Sequence, residues 1–157
     1  MHYVSGVLLV VDVVLLWTLG RSIATEVLSY LGWAIWVTGM VLLILAIQTL
    51  RRRGRAPDGR SYVETRALIE TGIYGVVRHP MYLGWMLMYG AVLLFNPNLP
   101  ILAVSALGAA SVYLVAREED GRLVARFGER YRRYMQSVPR MNLLAGLARL
   151  ARRGRQD

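Results

Sequence analysis

The sequence predicts an all-α integral membrane protein, with four transmembrane helices followed by a cytoplasmic C-terminal amphipathic helix. Three observations lead there. The 157-residue chain is 55% apolar yet carries a net charge of +9, a combination that suits a small membrane protein with basic flanks and not a soluble globule. Its apolar residues gather into four stretches, about 3–19, 27–50, 81–95 and 100–116. Its arginines fall almost wholly on one side of those stretches. The length fits one domain, 1–157.

A bilayer core takes about 20 residues of helix. The second stretch meets this length, while the third and fourth are short and draw on their flanks. Asn96-Pro97-Asn98-Leu99-Pro100 joins the third to the fourth as a tight helical hairpin. The first stretch has no basic region before it and no small-residue cleavage site, so it reads as a retained span and not a signal peptide. All 19 basic residues are Arg, and only Arg21 lies between the first and second stretches. If all four stretches cross, the other 18 share one side. The positive-inside rule then puts both termini, the loop 51–80 and the region 117–157 in the cytoplasm.

Within that loop, 51–60 is basic with Gly and Pro and reads as irregular. Residues 62–77 are mixed and are expected along the membrane interface or folded back over a site. After the fourth stretch, 117–136 reads as one amphipathic helix, because Leu123, Phe127, Tyr131 and Tyr134 recur at helical spacing. Arg122, Arg126, Arg130 and Arg133 form its basic stripe, and 149–155 reads as a basic tail.

Composition excludes several chemistries. The chain has no Cys and two His, His2 and His79, so disulfides, thiolate nucleophiles and a Cys/His metal site are ruled out. Nucleic-acid binding is suggested only by the basic charge, which membrane topology explains better. Two polar clusters remain, each where a helix would leave the membrane. Arg78 and His79 precede Pro80, which fits the first turn of a helix because no amide donor is needed there. A helix N-terminus with two added donors suits a carboxylate or phosphate, and it equally suits a lipid-phosphate anchor. Glu118, Glu119 and Asp120 stand at a helix end inside a basic region. Either a bound ammonium group or Arg117, Arg122 and Arg126 at helical spacing would offset their charge. Tyr74 and Tyr82 flank His79, either as ring-stacking partners or as interfacial anchors. Asp12 lies inside the first stretch, where an ionisable side chain must face protein or water and marks either a functional group or a packing hydrogen bond to a residue such as Gln48 or Thr49.

Together these residues resemble the isoprenylcysteine carboxyl methyltransferase and phospholipid methyltransferase superfamily of integral membrane enzymes. The resemblance covers about 66–140. It rests on Gly72-Ile73-Tyr74, then Arg78-His79-Pro80-Met81-Tyr82-Leu83-Gly84, then Glu119, Leu123, Phe127-Gly128, Tyr131, Tyr134 and Val138-Pro139-Arg140. It implies S-adenosylmethionine bound at the cytoplasmic face, with a membrane lipid or membrane-partitioning amphiphile as methyl acceptor. The positions that hold the cofactor in the carboxyl methyltransferases fall here on Arg66, Ala67, Leu68 and Ile69, on Tyr74, on His79, Pro80, Met81 and Tyr82, and on Glu119; Arg78, beside them, is expected to join them on its chemistry. Arg78 and His79 suit the carboxylate of the cofactor, Glu119 its ammonium, and the tyrosines and apolar side chains its adenine. The isoprenylcysteine enzymes place a substrate-binding Arg four residues before that Glu; this chain has Val115 there, so a prenylcysteine carboxylate is not implied. Glu118, Asp120, His79, Tyr74 and Asp12 are the available bases, and none is assigned. Two other readings fit parts of the sequence. Membrane sterol reductases, which use NADPH, share a similar C-terminal motif, and a non-enzymatic lipid-binding membrane protein would account for the basic charge.

Overall fold

The structure is a computed structural model, and it describes residues 2–19, 25–53 and 68–153. Among these, all regular structure is helical: α1 (His2–Thr18), α2 (Glu26–Arg53), a 3-10 turn (Gly72–Gly75), α3 (Pro80–Phe95), α4 (Leu99–Phe127), α5 (Glu129–Ser137) and α6 (Leu143–Arg153). α2 and α4 are long and apolar enough to cross a membrane, and α1 and α3 are shorter apolar helices.

Local chemistry sets the boundaries. Pro80 opens α3, where its missing N–H costs nothing. Asn98 caps α4 by accepting the Ile101 amide at 3.0 Å, and Asn142 caps α6 by accepting the Ala145 amide at 2.9 Å. Two expectations need correction. The helix expected over 117–136 is not one element: its first part continues α4 without a break, and its second part is α5. The division falls at Gly128, whose φ of 58° and ψ of −134° suit glycine alone. The second correction concerns the C-terminus, where 143–153 folds as α6 and only its last turns belong to the expected basic tail.

The chain divides into two compact units, Met1–Val41 with Tyr82–Glu118, and Leu42–Met81 with Glu119–Asp157. In the first, α3 is the shared partner. Tyr89 donates its hydroxyl to the Ser5 carbonyl of α1. The ring of Tyr89 lies against Gly108 of α4, where any side chain would collide with it. Phe95 meets Trp33 of α2 with ring centroids 5.1 Å apart. In this unit a few polar groups are buried among apolar ones, and many apolar groups are exposed. Ser5, Asp12, Asn96 and Ser105 are buried, while Val7, Val10, Trp17, Leu31, Val37, Leu102, Leu107 and Leu114 are exposed. Hydrocarbon tolerates that exterior, whereas water would penalise so continuous an apolar surface. Asp12 is 0% exposed and accepts from the Ser105 hydroxyl at 2.6 Å. Ser105, and not Gln48 or Thr49, is therefore its partner.

In the second unit, Leu42, Ala46 and Leu50 form a buried seam along α2. Tyr131, Tyr134 and Val138 make a core against which Leu68, Leu123, Val124, Phe127 and Met135 pack. The residues expected on one helical face therefore do gather, although a bend separates them.

The bend yields a paired prediction. Gly128→Ala should destabilise the protein by about 1–3 kcal/mol, because an L side chain is strained at that conformation. Gly121 lies inside α4, and a side chain added there would meet no atom of the described residues within 4 Å, so Gly121→Ala should stabilise by roughly 0.5–1 kcal/mol. Thermal unfolding of the two variants in detergent separates these signs.

Candidate active site

The second unit carries the polar cluster. The 3-10 turn closes with the Val76 and Val77 amides on the Ile73 carbonyl, at 3.0 and 3.1 Å. Residues 77–79 then carry no helix, in keeping with the bias of a residue before proline away from helical backbone. Arg78 and His79 give their amides to the carbonyls of Pro139 and Arg140 at 3.0 and 3.1 Å. The Val-Pro-Arg segment thus fixes the backbone of the His-Pro segment before α3 begins.

Side chains from both segments converge on Asp120, which is 4% exposed. Its Oδ1 lies 2.8 Å from His79 Nε2, which donates in the tautomer protonated there. The same oxygen accepts from the Tyr131 hydroxyl at 2.5 Å and from Arg78 Nη1 at 3.3 Å. Its Oδ2 accepts from Arg140 Nε at 2.8 Å. Asp120 stands one helical turn past the apolar stretch of α4. Burial pushes its carboxyl up, but the hydrogen bonds from His79 and Tyr131, the charge of His79 and the bond from Arg140 outweigh burial and hold it well below the ordinary 3.8. The Tyr131 phenol moves the other way: burial, its bond to Asp120 and that carboxylate's charge all raise it. Burial likewise raises Tyr134, whose hydroxyl donates to the Tyr74 carbonyl at 2.5 Å.

Two guanidiniums meet this one carboxylate, so among the described residues that bond to Asp120 positive charge is in excess. Arg78 is 8% exposed, and its Nε has no hydrogen-bond partner among the described residues. A buried, unsatisfied donor on a cation is costly, and an incoming anionic oxygen would satisfy it. Asp120 is already saturated with donors and holds its proton weakly, so it positions Arg78, His79 and Arg140 and is no general base.

The positions singled out from the sequence are distributed as follows. Arg66 and Ala67 lie outside the described residues. Leu68 packs on the tyrosine core, and Ile69 is buried. Tyr74 is half-buried in the 3-10 turn, and Met81 and Tyr82 are half-buried in the first turn of α3. Arg78, His79 and Pro80 are buried. Glu119 is half-buried and paired with Arg122 at 2.6 Å, one of the arginines expected at helical spacing. Val115 is buried. The sequence reading did not single out Asp120, Tyr131 and Arg140 as one constellation. The available signal was phase: Asp120 follows Ala116, itself buried, by one helical turn, but Glu119 follows buried Val115 by the same interval.

The pH dependence follows from the Asp120 shift. A carboxyl held below 3.8 contributes stability that is complete above about pH 4 and is lost as the pH falls further. Asp120→Ala should cost roughly 3–5 kcal/mol near neutral pH, because it takes the carboxylate away from the buried Arg78 guanidinium. Unfolding measured across the acid range should show the wild-type decline, and Asp120→Asn should flatten it.

Three comparisons bear on what this arrangement belongs to. The family model for phospholipid methyltransferase matches residues 27–130. Among curated proteins, Protein-S-isoprenylcysteine O-methyltransferase from Homo sapiens is 31% identical over 117 residues, which is 66% of this chain and 39% of that protein. The chain therefore spans about two-fifths of the length of that curated relative. No solved structure matches. The matched residues contain the His-Pro segment, α3, α4 and the acids after the fourth apolar stretch, and by that match this chain belongs to the phospholipid methyltransferase family.

Proposed function

We propose that this protein is an S-adenosylmethionine-dependent membrane methyltransferase with four spans and cytoplasmic termini, acting on a lipid or membrane-partitioning amphiphile at the cytoplasmic face. The observation that carries the reading is the buried Arg78 with its unsatisfied Nε, inside a cluster of surplus positive charge. That chemistry fits the carboxylate of the cofactor's methionine part. Glu119 fits the ammonium group, exchanging Arg122 for it. Tyr74, with Leu68 and Ile69, supplies flat and apolar surface for the adenine, and Pro80 and Met81 fix the turn that carries Arg78 and His79. The one-sided distribution of Arg supports the span count and orientation.

When bound, the cofactor supplies a methyl group already activated by its sulfonium. The protein's part is then to hold donor and acceptor in line and exclude water. Asp120 acts through the residues it orients. The family description favours a phospholipid acceptor. The human relative is named for a prenylcysteine acceptor, but an apolar Val115 offers no charge to that substrate's carboxylate.

Calorimetric titration of detergent-purified protein with S-adenosylhomocysteine, with NADPH as a parallel ligand, tests the reading. Selective binding of the first is expected. His79→Ala and Glu119→Ala should each weaken it roughly tenfold or more, the worth of a charge-assisted hydrogen bond. Unchanged affinity in both folded variants would sink the assigned pocket. Selective NADPH binding would replace the reading with a reductase.

A further inference from the structure

α6 joins the second unit along one side only. At Gly146 a side chain would collide with the Val76 carbonyl, so the glycine admits close approach to the segment just before Arg78. One turn on, Arg149 donates to the Gly75 carbonyl. These two contacts fix α6 against the 3-10 turn. Beside them runs an arc of apolar side chains, since at 100° per residue Leu143, Leu147, Leu150, Leu144 and Ala151 fall together. Much of the arc is uncovered: Leu144 is 79% exposed and Leu147 49%. The rest of the helix is basic, with three arginines and no acid.

We infer that α6 is an in-plane membrane helix whose leucine arc enters the headgroup–acyl boundary of an anionic bilayer. Three features select a lipid surface over a protein partner. The apolar arc is continuous and ungrooved by polar groups. The charge is of one sign and complements anionic headgroups. The chain also exposes apolar side chains along α1, α2 and α4 as lipid-contacting helices do. Low overall apolarity with strong segregation of leucine from arginine is the pattern of a helix that lies on a membrane without crossing it. The inference does not depend on the reaction proposed above. It does place the lipid surface in mechanical contact with the Gly75–Val76 segment, so that lifting α6 off the bilayer would load the turn that leads to Arg78 and His79.

The chain has no cysteine, so single cysteines can be introduced cleanly. Leu144→Cys, Leu147→Cys and Ala145→Cys, the last on the opposite side of α6, are labelled with bimane. Each full-length variant is reconstituted into phosphatidylcholine vesicles with and without phosphatidylglycerol. Labels at 144 and 147 should be blue-shifted, quenched by lipid carrying a shallow acyl-chain nitroxide and shielded from aqueous iodide. The label at 145 should show the reverse. Arg152→Gln should reduce the lipid-engaged population ratio roughly fivefold, the effect of one basic residue near an anionic surface. Iodide access at 144 and 147 equal to that at 145 would overturn the inference. So would shielding without lipid quenching that disappears on dilution into excess lipid, the mark of a second copy of the chain. Equal lipid quenching in the two compositions would overturn the anionic preference.

Discussion

One buried carboxylate holds the second unit together. Asp120 accepts from four side chains, Arg78, His79, Tyr131 and Arg140, that come from three separate parts of the chain. No backbone ladder joins these parts beyond the amides of Arg78 and His79. Without the carboxylate, the buried Arg78 guanidinium would lose its ion pair. With it, each donor has one preferred direction. Burial makes the bonds worth more than they would be at a surface and makes an incomplete set more costly.

The other constraint is solvent. Along α4, Ile101, Ser105, Gly108, Val112, Val115, Ala116 and Asp120 form one buried stripe, while Leu102, Leu107 and Leu114 face outward. The helix therefore changes chemistry along its length without changing its face. Near its start the stripe offers Ser105 to Asp12. At its far end it offers Asp120 to the cationic cluster. Small residues on such a stripe permit close helix approach where no hydrophobic effect drives association, as the ring of Tyr89 against Gly108 illustrates.

Around the 3-10 turn, backbone carbonyls are the anchoring points. Tyr134 donates to the carbonyl of Tyr74, Arg149 to that of Gly75, and the closing amides of the turn to that of Ile73. Three consecutive carbonyls are thus held by α5, α6 and the turn itself. The turn has no buried residue of its own, so these bonds set its position and, through it, the start of α3.

The sequence determined a good deal by itself. Apolar runs and proline placement announced the helices, because both act locally. The resemblance rested on Gly72-Ile73-Tyr74, on Arg78 to Gly84 and on positions from Glu119 to Arg140, and the family match, which covers 27–130, agrees with it. Phase along one helix could not separate Glu119 from Asp120, since each follows a buried residue by one turn. Only the tertiary structure chose Asp120, because its donors lie 41, 42, 11 and 20 residues away and spacing within a helix carries no information about them. The same holds for the Ser105 partner of Asp12, at a separation of 93 residues. α6 was missed for a different reason. Its arginines dominated the composition, and the contacts that dock it, Gly146 on Val76 and Arg149 on Gly75, exist only once the distant turn has folded beside it.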